Sequence, residues 1–157
     1  LHFEDSSFDF VNCQGVIHHT PNTNKCIEEI YRVLKSGGRA SISVYYENIL
    51  LRIAENFLPV IRWFSKRFLK NLGRGRKFDS AISKDELVRL FDGKNNPIGK
   101  SYSTKQFHLM IKNAGFKNIQ IKYFFFPFRF FSFNVPRIFR PLLVKIIPFM
   151  IIANVKK

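Results

Sequence analysis

FDFVNCQGVIHHTPNTNKCIEEIYRVLKSGG, residues Phe8 to Gly38, is the stretch on which the fold turns. Phe8 to Cys13 is a short, mostly apolar run bounded by turn residues, the pattern of a parallel strand covered on both faces. Gln14 and Gly15 break that pattern, and Val16 to Pro21 form a loop carrying His18 and His19. Asn22, Thr23 or Asn24 can then cap a helix, because each offers a side-chain oxygen to free backbone amides. Within that helix Cys26, Ile27, Ile30, Val33 and Leu34 recur at helical spacing, while Lys25, Glu28, Glu29, Arg32 and Lys35 face outward. Gly37 suits a left-handed position at the helix end. Arg39 to Tyr46 then alternates, with Ala40, Ile42, Val44 and Tyr46 on one face and Ser41, Ser43 and Tyr45 on the other. A strand, a helix and a strand in this order imply parallel pairing through a right-handed crossover.

Downstream, residues 48–100 read as a helical insertion or lid. Ile49, Leu50, Ile53, Ala54, Phe57 and Leu58 make one amphipathic helix ended by Pro59. A second, from about Val60 to Leu72, pairs an apolar stripe of Ile61, Phe64, Phe68 and Leu72 with a basic stripe of Arg62, Lys66, Lys70 and Arg74. A third opens at the capping box Ser83 to Glu86 and stops at Gly93. Another capping box, Ser103 to Gln106, starts a helix with Phe107, Met110, Ile111 and Ala114 on one face, closed by Gly115. Ile119 to Phe126 alternates as a half-buried strand. The Phe-rich tail divides into an aromatic turn at Pro127, a basic helix near Arg137 to Ile147 and a last strand, Phe149 to Val155.

The 157 residues suffice for one domain with a real core, and a hydrophobic fraction of 46% speaks against wholesale disorder. With 26 Lys and Arg against 11 Asp and Glu, the formal charge is +15, a field that draws anionic partners such as lipid headgroups, nucleic acid or acidic metabolites. A solvated basic surface accounts for the same charge without a partner. Cys13 and Cys26 show neither metal-ligand spacing nor a disulfide framework, and both read as small hydrophobes of a reducing, cytoplasmic compartment. The apolar tract Pro141 to Val155 is interrupted by Lys145 and Pro148 and is shorter than the ~20 residues of a membrane span. No RNA-binding motif is visible, so nucleic acid is not expected.

Taken together, LHFEDSSFDFV, GVIHH, EEIYRVLKSGGRASISV and YSTKQFHLMIKNAGFKNIQI resemble the catalytic domain of class I S-adenosylmethionine-dependent methyltransferases, type 11 group. The resemblance covers Leu1 to Tyr46 and Tyr102 to Tyr123; Ser36 and His2 stand where that family commonly has Pro. It implies an α/β, Rossmann-like fold, here partial, with strands four to seven, flanking helices and the 48–100 insertion within a 1–157 domain. It also implies S-adenosyl-L-methionine as cofactor and methyl transfer to a small or lipid-linked metabolite.

The glycine-rich turn and the acidic strand end that grip the cofactor in such folds have no counterpart here, since the Gly73 to Gly75 turn follows a helix. They are expected upstream of Leu1, so the fragment alone is expected to be inactive. Ligands of open parallel sheets sit beyond the strands' carboxyl ends. That puts Cys13, Gln14 and Gly15 at the rim as cofactor-binding candidates and His18 and His19 there as catalytic ones, a general base being the role on offer. A structural role for either histidine competes, because methyl transfer from a sulfonium often needs only alignment. The basic lid stripe offers a contact to an anionic membrane surface, which would make the protein peripheral to it. A non-enzymatic surface or scaffold protein derived from the same fold is the competing class.

Overall fold

The computed structural model describes residues 2–57, 59–60, 63, 83–92, 96–126 and 136–157. Strand β1 (Phe8–Gln14), helix α1 (Thr23–Val33) and strand β2 (Leu34–Tyr46) form the strand, helix, strand unit, and β1 pairs with β2 in parallel. Then come α2 (Ile49–Asn56), α3 (Lys84–Asp92), the two-residue β3 (Ser101–Tyr102), α4 (Thr104–Asn113) and β4 (Lys117–Phe124). A short helix α5 (Arg140–Ile146) and β5 (Met150–Lys156) complete the order.

The sheet runs β1-β2-β5-β4, with β3 paired to the carboxyl end of β2. β5 is antiparallel to both of its neighbours, so the last strand inserts between β2 and β4. Apolar side chains of α1 and α4 meet those of β2 and β5 in one core: Ile27 and Ile30 from α1, Phe107 and Ile111 from α4, Ile42 and Val44 from β2, and Ile151 and Ala153 from β5. The expected Rossmann-like α/β architecture, a sheet with flanking helices, is present, with five strands among the described residues where four were expected.

Three local expectations change. β1 is not covered on both faces: it alternates, with Val11 and Cys13 against the core and Phe10 58% exposed. The reason is position, since β1 is an edge strand hydrogen-bonded to β2 alone among the described residues. α1 ends at Val33, because Leu34 already has extended dihedrals and buries its side chain completely. Gly37 does take a left-handed φ of +78°, but inside β2, where the register slips between Phe8 and Phe10. It therefore serves a bulge rather than a helix end. The third change is β3, a two-residue strand with no counterpart among the expected elements.

The helix starts follow the sequence. Asn22 accepts from the Lys25 amide at the head of α1, and Asn48 accepts from the Leu51 amide at the head of α2. Ser103 and Gln106 form a complete, reciprocal capping box on α4. The basic stripe of Arg62, Lys66 and Lys70, the Gly73 to Gly75 turn and the aromatic turn at Pro127 lie outside the described residues. Among the described residues no helix is long and apolar enough to cross a membrane.

Candidate functional site

The carboxyl end of β1 delivers the chain into a one-turn 3-10 helix, Ile17–His19. Gly15 makes the entry. Its φ is +72°, a Cβ there would meet nothing within 4 Å, and its amide donates to the Ser43 hydroxyl on β2 at 2.9 Å. The left-handed backbone explains the glycine, and the open space above it leaves room for a ligand to approach the main chain. Gln14 beside it is exposed and Cys13 half-buried. Burial, then the neighbouring Cys26, pushes the Cys13 thiol up, which disfavours the thiolate and leaves a small hydrophobe.

The two histidines part company. His18 is 1% exposed, its ring 4.6 Å from that of Tyr45 and 4.0 Å from that of His19, centroid to centroid. Neither of its ring nitrogens has a hydrogen-bond partner among the described residues. Burial first, and His19 second, pull its pKa down to about 3, so the ring is neutral at ordinary pH; the Ser43 backbone acts least, in the opposite direction, without a hydrogen bond to the ring. His19 is half-exposed and fully engaged. Its Nε2 lies 2.9 Å from Asp92 Oδ2, and its Nδ1 lies 2.7 Å from the Ile98 carbonyl oxygen and 2.9 Å from Asn96 Nδ2.

These partners come from the far side of the helical block, some 80 residues along the chain, and nothing in their spacing announces them. Tyr45 donates its hydroxyl proton to the other oxygen of Asp92. Lys100 donates from its amide to the His18 carbonyl and from Nζ to the carbonyls of Thr20 and Pro21. Tyr102 donates to Thr23 Oγ1, which in turn donates to the Ile17 carbonyl. Asp92 and residues 96–102 thus strap the histidine loop from above. The rim expected for both histidines holds His19 alone, with His18 beneath it. A separate cleft of about 400 Å³ runs between α1 and α4, lined by Asn24, Tyr102, Gln106 and Met110, and includes none of the loop histidines.

Residues 1–42 match the family model described as "Methyltransferase domain". A curated relative, the ubiquinone/menaquinone biosynthesis C-methyltransferase of Brucella canis, is 33% identical over 129 residues, covering 79% of this chain and 42% of that protein. An S-adenosylmethionine-dependent methyltransferase from Mesorhizobium loti superposes over the whole chain and 65% of its own length, with a TM-score of 0.57 at 13% identity. The phosphoethanolamine N-methyltransferase 2 of Haemonchus contortus, solved with phosphomonomethylethanolamine and S-adenosylhomocysteine, superposes over 99% of this chain and 35% of its own, with a TM-score of 0.54 at 18% identity. Residues 1–42 thus match a methyltransferase domain, and the fold of the chain is that of the S-adenosylmethionine-dependent methyltransferases. The cofactor of that family is S-adenosyl-L-methionine. The chain spans less than half the length of the curated relatives it matches.

The residues present fit one side of such a cofactor. Gly15 leaves open space beyond the carboxyl end of a parallel strand, where doubly wound folds place a nucleotide. A glycine-rich turn to hold the opposite side is absent from the sequence.

Proposed function

We propose that this chain is one part of an S-adenosylmethionine-dependent methyltransferase that methylates a small or lipid-linked metabolite, with Cys13, Gln14 and Gly15 forming one wall of the cofactor site. The observation that carries the reading is Gly15: a left-handed residue, at the carboxyl end of a parallel strand, with empty space where a side chain would stand. The cofactor supplies an electrophilic methyl group, and the protein's task is to align an acceptor with it and keep water away. His18 and His19 are the residues of this chain nearest that task. His19 alone reaches the surface, held in one orientation by Asp92 and Ile98, and so is the one able to take a proton from an acceptor. Residues 48–100 act as the lid. The relatives' substrates, a quinone precursor in one case and a phosphobase in another, support the substrate class.

On this reading the 157-residue chain alone binds the cofactor weakly, since half the grip is missing. Calorimetry with S-adenosylhomocysteine should give no stoichiometric heat with the chain by itself, and should do so once the reading frame adjoining Leu1 is included. Tight one-to-one binding by the isolated chain would overturn the incompleteness. A fused protein that binds but loses nothing on Gly15→Val would overturn the placement of the wall.

A second reading rests on exposed apolar residues beside basic ones. Ile49, Leu50, Ile53 and Phe57 are exposed on and just after α2 with Arg52, and Ile138, Leu142 and Ile146 on and around α5 with Lys145. With the Arg62, Lys66 and Lys70 stripe, they suit an anionic membrane surface. Co-sedimentation with phosphatidylglycerol vesicles should fall in a Lys66→Glu, Lys70→Glu variant; unchanged binding rules that stripe out.

A further inference from the structure

Around His18 the polar atoms are arranged in a way that packing does not account for and that the methyl-transfer reading uses only through His19. One ligand atom each from His18, His19 and Asp92 lies within 4.8 Å of the others. His18 is fully buried and without a hydrogen-bond partner at either nitrogen among the described residues. A buried imidazole whose nitrogens stay unpaired has lost its water without a replacement. That cost calls for a compensating ligand.

His19 points the same way. Its Nδ1 is turned to the Ile98 carbonyl and Asn96 Nδ2, and its Nε2 faces the Asp92 carboxylate oxygen 2.9 Å away. A ring nitrogen and a carboxylate oxygen that converge in this way can share a metal ion. Atoms 2.9 Å apart, each ~2.0–2.1 Å from one ion, subtend about 90° at it, the angle of an octahedral face. The orienting bonds of a metal site are also in place. Ile98 holds the far nitrogen of His19, and Tyr45 holds the far oxygen of Asp92.

We propose that His18, His19 and Asp92 form a binding site for a divalent first-row transition ion of the Zn²⁺ class, closed over the histidine loop by α3. Two imidazoles and one carboxylate suit such an ion better than Mg²⁺ or Ca²⁺, which prefer all-oxygen shells. Binding draws the three groups together and fastens α3 and the strap that follows it to the carboxyl end of β1. This proposal goes beyond methyl transfer, shares His19 with that reading, and is tested separately by metal binding.

The test is a titration of chelator-treated, tag-free protein with Co²⁺ alone, followed by Zn²⁺ competition. The expected result is a saturable one-to-one d–d absorption band without a thiolate charge-transfer band, displaced by Zn²⁺, and a higher thermal midpoint with either ion. Asp92→Asn keeps the shape and the Tyr45 hydrogen bond, and should weaken Co²⁺ binding at least tenfold. His19→Gln should do the same, and far-UV circular dichroism checks that each variant is folded. Absence of saturable binding by the unmutated protein, unchanged affinity in either folded variant, or a charge-transfer band marking Cys13 or Cys26 as ligands would each overturn the site.

Discussion

Gly115 shows how much one residue can decide. It ends α4 with a φ of +100°, and a Cβ there would stand 3.0 to 3.2 Å from two ring carbons and the hydroxyl of Tyr31 on α1. Both the backbone and the neighbour therefore demand glycine. Gly115→Ala should destabilise the protein by about 1–3 kcal/mol, the range for backbone strain at such a position, read as a lower urea midpoint at unchanged slope. A midpoint within error of the parent would mean that Tyr31 moves aside freely. The glycine was legible in the sequence as a helix stop, but its contact with Tyr31 was not, because the two residues lie 84 positions apart (115 − 31). His19 teaches the same lesson at the site. Its presence on the loop after β1 could be read directly, whereas its pairing with Asp92 depends on where the helical block folds back.

At the scale of elements, α1 and α4 form largely from local signals. The Ser103 and Gln106 box satisfies backbone donors at both ends of the first turn of α4. Ser103→Ala should cost about 1 kcal/mol, within the range known for N-caps, measured by chemical denaturation. On α1, Arg32 bonds Glu29 with two nitrogens and reaches Asp5 and the Phe3 carbonyl as well. The Arg32 guanidinium holds the Glu29 carboxyl down at about 2. A carboxyl held below its unfolded value stabilises the native state above that value and ceases to do so as pH falls through the folded one. The thermal midpoint of the parent should therefore exceed that of Glu29→Gln by a constant amount above about pH 5. The gap should shrink between about pH 4.5 and pH 2. A gap independent of pH across that window would show that the ion pair contributes nothing. The end of α1 was misjudged because Leu34 and Lys35 continue the helical period while Leu34 fits the sheet core better.

For the molecule as a whole, the core and the edge pull in different directions. Phe107 is fully buried where α4 meets the sheet, and Phe107→Ala should cost about 3–5 kcal/mol, enough to unfold a marginal domain. Denaturation that shifts by less than 1 kcal/mol would show that the core repacks around the loss. On the opposite side β1 leaves one edge unpaired among the described residues, with Phe10 exposed beside it. Such edges template association. A Phe10→Lys variant should stay monomeric at concentrations where the parent self-associates, as followed by light scattering; equal association would place the contact elsewhere.

The sequence by itself determined the strand, helix, strand order of residues 8–46, a helix start among Asn22, Thr23 and Asn24, and the capping box at Ser103, since these rest on periodicity and capping within a few residues, and its motifs carried the family resemblance. Only the tertiary structure decided the insertion of β5 between β2 and β4, the bulge at Gly37, and the gathering of His18, His19 and Asp92 under one strap. Those features depend on contacts between distant segments, where the burial of a side chain and the reach of a hydrogen bond are fixed by the closed sheet and leave no periodic trace in the chain.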